Sequence, residues 1–207
     1  MEELCDLYAE PPDPRRPLVC VDERPYQLVG EIVPRQLPKV GQSARCDYEY
    51  ERRGTANLFV AFCPEQARRQ VEVTERRTAV DFAQFLRHLV DEQFPEAEGI
   101  RLVVDNLNTH TPASLYKAFV PAEARRIAAK LEWHYTPEHG SWLNQVEIEI
   151  SILSRQCLER RIPDAETLRQ EVRAWQDARN AREETIDWRF TSKDARIKLK
   201  RLYPNHS

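Results

Sequence analysis

Asp22, Asp105 and Glu147 occupy the settings in this 207-residue chain that best suit chemistry. Asp22 closes the apolar run Leu18-Val19-Cys20-Val21, and Asp105 closes Ile100-Arg101-Leu102-Val103-Val104. Glu147 ends Ser141-Trp142-Leu143-Asn144-Gln145-Val146-Glu147. An acid at the end of a buried strand is costly to desolvate unless something pairs with it. Two such acids, with a third on a helix, imply a shared cation. Hard divalent ions such as Mg2+ prefer oxygen ligands and keep several waters, so a few carboxylates suffice to hold them. Two ions about 3.5–4 Å apart can clamp the attacking and leaving oxygens of a phosphodiester and generate a hydroxide nucleophile. The layout therefore suits metal-dependent phosphoryl transfer on DNA, with Asp22, Asp105 and Glu147 as catalytic and metal-binding residues.

Other residues carry weaker signals. Glu23 follows Asp22 and so points to the opposite face of a strand, which makes it a poorer ligand. Asn106 and His110 lie just beyond Asp105, where loops at strand ends gather functional groups. His110 could bond a metal-bound water or a phosphate, or be structural. Trp142 could stack on a base or sugar, although core packing is the commoner role for a tryptophan. Asn144, Glu147, Ser151 and Ser154 step by three or four residues, a polar stripe that faces either a site or solvent. His134 and His139 make no zinc spacing with each other or with a cysteine.

Positioning these residues takes strands and helices in a particular order. Residues 1–17, with Glu10-Pro11-Pro12-Asp13-Pro14-Arg15-Arg16-Pro17, read as a linker-like lead-in. Leu18–Val21 is a continuous apolar strand, and Pro25, Pro34 and Pro38 predict short strands or loops over 24–50. Gly54-Thr55 precede a strand at Asn57–Phe62, and Gln70–Thr74 alternates with period two, so a meander is expected. Thr78 with Asp81 reads as a capping box opening a helix with Phe82, Phe85, Leu86, Leu89 and Val90 on one face. Gly99 then leads into the strand Ile100–Val104. Thr111-Pro112 and Pro121 open short helices, and Leu131, Trp133 and Tyr135 form a fifth strand. Ser141 is expected to cap a long helix with Leu143, Val146, Ile150, Leu153 and Cys157 along one stripe. A last long helix spans about Asp164 to Arg182, and the tail to Leu202 packs back as a short basic helix. The order β-β-β-α-β-α-β-α predicts an α/β, ribonuclease H-like fold, a mixed five-stranded sheet flanked by helices; no second domain boundary is visible.

Composition narrows the function classes. Five glycines against fourteen prolines argue against a glycine-rich nucleotide loop. No stretch could span a bilayer and no signal layout opens the chain, so a cytoplasmic, nucleoid-associated protein without membrane contact is expected. Cys5, Cys20, Cys46, Cys63 and Cys157 lack paired spacing and read as reduced structural thiols. The net charge of −3 hides seven basic pairs: Arg15-Arg16, Arg52-Arg53, Arg68-Arg69, Arg76-Arg77, Arg125-Arg126, Arg160-Arg161 and Lys200-Arg201. Such pairs, with Lys193 and Lys198, could hold phosphates locally or merely solvate surfaces. Arg52 and Arg53 join Asn106, His110, Trp142 and Asn144 as candidates for supporting the acids or touching DNA.

The segments VCVDE (19–23), YERRGTANLFVAF (50–62), LVVDNLNTH (102–110) and YTPEHGSWLNQVE (135–147), with Asn180 and Trp188-Arg189-Phe190, resemble the catalytic domain of DDE transposases. The likeness is to the bacterial insertion-sequence branch of the mariner superfamily and covers nearly the whole chain. It implies a ribonuclease H-like domain over 18–207 with a C-terminal helical extension, Mg2+ or Mn2+ (two ions), and the triad Asp22, Asp105 and Glu147. It also implies cleavage and strand transfer at insertion-sequence ends, with double-stranded end and target DNA as partners and a homodimer or larger synaptic assembly. Such transposases carry N-terminal helix-turn-helix modules; only residues 1–17 precede the first catalytic strand here, so those modules are expected to be absent. A separate end-binding polypeptide would then supply end recognition. The alternative is a truncated, non-autonomous remnant that binds DNA or regulates a full-length transposase. A glycosidase would use two carboxylates and leave the third without a role.

Overall fold

The computed structural model describes residues 1–32, 49–198 and 200. Strands Leu18–Glu31 (β1), Tyr50–Cys63 (β2), Arg68–Thr74 (β3), Ile100–Val104 (β4) and Leu131–Tyr135 (β5) form one mixed sheet in the order β3-β2-β1-β4-β5. The first three make the expected antiparallel meander, while β1 with β4 and β4 with β5 run parallel. The helices are Glu2–Ala9 (α1), Ala79–His88 (α2), Ala113–Ala118 (α3), Pro121–Ala128 (α4), Val146–Leu153 (α5), Ala165–Ala181 (α6) and Ser192–Lys198 (α7). Short π-helical turns, Leu89–Gln93 and Ser154–Leu158, extend α2 and α5.

Alternation along β1 sends Val19 and Val21 to one face and Leu18 and Cys20 to the other. The first face packs on Phe82, Phe85 and Leu86 of α2, Leu115 of α3 and Ile127 of α4. The second packs on Leu4 and Leu7 of α1, Val146, Ile150 and Leu153 of α5, and Leu168 and Val172 of α6. Both faces of the central strands are thus covered, as their near-continuous apolar runs require. This is the ribonuclease H-like arrangement. Each fully buried large side chain contributes about 1.5–3 kcal/mol, a reserve against which the strand ends can carry costly acids.

The Thr78 capping box is present: Asp81 N–H donates to Thr78 Oγ1 at 3.3 Å, and Thr78 N–H donates to Asp81 Oδ2 at 2.8 Å. Asp164 caps α6 through a bond from Thr167 N–H at 2.8 Å. Pro121 occupies the first turn of α4, but Pro112, rather than Thr111, is the N-cap of α3.

Four expectations are corrected. The lead-in over 1–17 begins with α1, whose Leu4, Cys5 and Leu7 are buried, and Arg101 pairs with Glu10 at 3.0 Å to hold the segment that follows. β1 continues through Pro25 to Glu31: among the described residues its strand pairing past Cys20 is with β2 alone, and on the other edge a proline costs no ladder bond. Gly54, at φ 100°, supplies a bulge where the β1–β2 register shifts between Gln27 and Val29. The helix expected from Ser141 is broken: Ser141–Leu143 form a 3-10 turn, Asn144 is extended, and α5 starts at Val146. Pro34, Pro38, Cys46 and the tail beyond Lys200 lie outside the described residues. Cys5, Cys20, Cys63 and Cys157 are buried free thiols, as expected.

Candidate active site

β1 and β4 pair in parallel through Cys20↔Val103, so Asp22 and Asp105 each lie two residues past the last paired position, at the same end of the two strands. Asp22 is 8% exposed. Burial pushes its carboxyl up to about 7, and the charges of Glu147, Asp105 and Glu23 push the same way. Glu147, half-buried in the first turn of α5, is thus close enough to Asp22 to act on it electrostatically.

The two aspartates differ in what supports them. Asp22 Oδ1 accepts from Glu23 N–H at 2.8 Å. Asp105 Oδ1 accepts from Leu107 N–H at 3.0 Å and contacts His110 Nδ1 at 2.5 Å. That hydrogen bond holds Asp105 below the usual carboxylate range, despite partial burial. His110 is fully buried against Phe82, with ring centroids 4.4 Å apart. Its Nε2 lies 2.8 Å from Glu23 Oε2, an ion-pair contact not aligned as a linear hydrogen bond. Burial works against a charged ring, but the contacts with Asp105 and Glu23 outweigh it and lift His110 to about 9.

Among the described residues, no three His, Cys, Asp or Glu side chains form a group that could hold a metal ion as it stands. The donor chemistry nevertheless fits a hard divalent cation: the charges of Glu147 and Asp105 act on buried Asp22, which makes no ion pair with a cationic side chain among the described residues. Such a cation would be held by Asp22, Asp105 and Glu147.

Comparison with known families is decisive at this point. Residues 17–169 match the family model described as DDE superfamily endonuclease, a span that contains all three acids. The chain belongs to that family. Solved structures of Mos1 transposase share its fold at low identity. The Mos1 mariner paired end complex with Mn matches with a TM-score of 0.53 and 18% identity over 88% of this chain and 56% of that one. The Mos1 strand transfer complex gives 0.52 and 17% over 88% and 55%. This DDE-family chain therefore spans a little over half the length of those chains. No curated protein matches the sequence significantly.

The remaining candidates separate into those near the acids and those far from them. Asn144 is fully buried, and its Nδ2 donates to Val21 O at 2.9 Å, tying the start of α5 to the residue before Asp22. The backbone at Asn144 is extended where that bond forms. Asn106 Nδ2 donates to Thr136 O, joining the ends of β4 and β5. Trp142 is 45% exposed and meets Phe190 edge-on at 5.1 Å, so it is not a core residue. Arg52 pairs in register with Val29, seven residues along β1 from Asp22. At about 3.3 Å per residue that is roughly 23 Å away, so neither Arg52 nor the adjacent Arg53 meets the acids.

The basic pairs are largely committed to internal acids. Arg16 binds Glu132, Arg126 binds Asp91 and Glu123, and Arg160 binds Glu171. Arg69 is fully buried and pairs with Glu149 at 3.1 Å, which Arg179 also reaches at 3.1 Å. Sequence reasoning missed this cluster, although Glu149 sits three residues after Val146 and four before Leu153, inside the apolar stripe. An acid in such a stripe signals a buried partner.

Proposed function

We propose that this chain is the catalytic core of a transposase that cuts DNA at insertion-sequence ends and joins the freed end to target DNA. What supports the reading is that the charges of Glu147 and Asp105 act on buried Asp22 at the end of the paired part of β1, inside the span matched to an endonuclease family. Bound divalent cations, two Mg2+ or Mn2+, would supply charge stabilisation for the attacking and leaving oxygens and a nucleophilic water. Asp22 and Asp105 would hold both ions and Glu147 would complete the shell of one. Hydrolysis of the end phosphodiester leaves a 3′-hydroxyl. That hydroxyl then attacks a target phosphodiester, forming one P–O bond and releasing a target 3′-hydroxyl.

Trp142, exposed beside the helix that bears Glu147, would touch a base or sugar of the bound end. Arg52, exposed at the far end of the sheet, and Lys193 and Lys198 on α7 would hold phosphates, a contact that weakens steeply with salt. Double-stranded DNA is the partner. The similar Mos1 structures are described as paired-end and strand-transfer complexes, which supports a synaptic assembly here too. A separate end-binding polypeptide and a nucleoid-associated location complete the proposal.

The test is cleavage of end-bearing DNA with Mg2+ or Mn2+ by wild-type protein and by Asp105→Asn. Cleavage that collapses in the folded variant supports the reading. Unchanged cleavage removes the triad, and DNA binding without cleavage by the wild type would favour the regulatory remnant instead.

A further inference from the structure

We propose that His110, backed by Glu23, is a positioning residue that sets the Asp105 carboxylate for cation binding. The inference rests on the metal-dependent reading of the site and adds a device to it. Asp22 and Glu23 are consecutive on β1 and therefore face opposite sides of the sheet. Asp22 lies on the α5 side, while Glu23 lies on the α2 side, where only 4% of its side chain is exposed. His110 is fully buried on that same side against Phe82. Its ring spans the two strands: Nδ1 meets Asp105 Oδ1 at 2.5 Å, and Nε2 stands 2.8 Å from Glu23 Oε2.

The consequence concerns which oxygen is left for a ligand. Both hydrogen bonds that Asp105 accepts, from His110 and from Leu107 N–H, fall on Oδ1. Asp22 likewise accepts from Glu23 N–H on Oδ1. Among the described residues, Oδ2 of each aspartate accepts no hydrogen bond. The chain thus fixes one oxygen of each acid and keeps the other for the cation. Glu23 serves twice, through its backbone on Asp22 and through its side chain on His110. Arg77, 3.7 Å from Glu23 Oε1, steadies the outer end of the line. A ligating carboxylate held this way loses less rotamer freedom when it binds, which is how outer partners tune a metal site.

The test uses the full chain and measures Mn2+ binding by calorimetry, alongside the Mn2+ concentration that half-saturates DNA cleavage. His110→Leu removes both contacts. His110→Asn restores a donor near the Nδ1 position, and Glu23→Gln keeps the length at residue 23 without its charge. His110→Leu should weaken Mn2+ binding by about 10–100-fold and raise the half-saturating concentration in parallel, with a smaller loss of rate at saturation. His110→Asn should recover most of the affinity, and Glu23→Gln should fall between wild type and His110→Leu. A purely structural histidine would lower the melting temperature and leave the affinity of the folded protein alone.

Wild-type Mn2+ affinity in folded His110→Leu overturns the proposal, as does a wild-type chain that binds no Mn2+. If His110→Leu does not fold, wild-type affinity in Glu23→Gln overturns it. Weakened Mn2+ binding in the variants of a protein that never cuts DNA would sustain the positioning role while removing the transposase reading.

Discussion

Glu149 and Asp22 are buried acids on the same face of the sheet, and their surroundings are opposite. Glu149 lies between Arg69 and Arg179, both almost fully buried, and Asn180 and the Glu184 carbonyl take further Arg69 donors. Asp22 has Asp105 and Glu147 for neighbours and no cationic side chain paired with it among the described residues. The first cluster is complete within the chain and locks β3, α5 and α6 together. The second collects negative charge where α5 crosses the ends of β1 and β4. Because Glu147 and Glu149 share α5, the structural cluster also sets the rotation at which Glu147 is presented. The contrast separates an acid paired within the fold from Asp22, which has no cationic partner among the described residues.

The largest effect should come from breaking the complete cluster. Glu149→Gln leaves two buried guanidinium groups short of charge and should cost about 3–5 kcal/mol in urea unfolding, with no rescue by Mg2+. A variant of wild-type stability would mean that the arginines are not held by that charge.

Asp22→Asn should move stability the other way. The folded pKa of Asp22, about 7, lies above the ordinary value of 3.8. Between those values the folded protein keeps a proton that the unfolded chain has released, so stability falls as pH rises toward 7. At about 1.4 kcal/mol per pH unit, the asparagine variant should gain up to about 4 kcal/mol at pH 8 without metal and nothing near pH 4. Unfolding curves at the two pH values check this, and an equal gain at both would contradict it.

Divalent cation sharpens the same comparison. At ten times its dissociation constant Mn2+ should stabilise the wild type by about 1.4 kcal/mol and leave Asp22→Asn unmoved; equal shifts in the two would place the ion elsewhere.

The smallest effect lies between the regions. Tyr8 donates from its hydroxyl to Leu143 O at 2.9 Å, fastening α1 to the turn before Glu147. Tyr8→Phe should cost about 0.5–1.5 kcal/mol and leave Glu149's pairing intact, measurable as a modest fall in melting temperature.

Much of the frame was legible because local rules govern it. The Thr78–Asp81 box, the helix opening near Asp164 and the apolar run closing at Asp105 all behave in the fold as their sequence implies. What escaped depends on partners distant in the chain. Asn144 looks like one more polar residue on a helix until Val21 O captures its side chain. Arg69 resembles Arg68 in sequence, yet only Arg69 is buried. Pro25 reads as a strand breaker unless the pairing of β1 past Cys20 is known. At the site, strand-end and helix settings singled out Asp22, Asp105 and Glu147 in the sequence. Glu23 was set aside as a ligand because it points to the opposite face, and its reach to His110 needs the packing of α2 to be seen.

The central claim is that Asp22, Asp105 and Glu147 share divalent cations, and anomalous diffraction from crystals grown with Mn2+ tests it most directly. The account predicts Mn2+ density bounded by those three carboxylates, with the Oδ2 atoms of both aspartates as ligands. Fully occupied Mn2+ sites elsewhere, with none among the three acids, would contradict it.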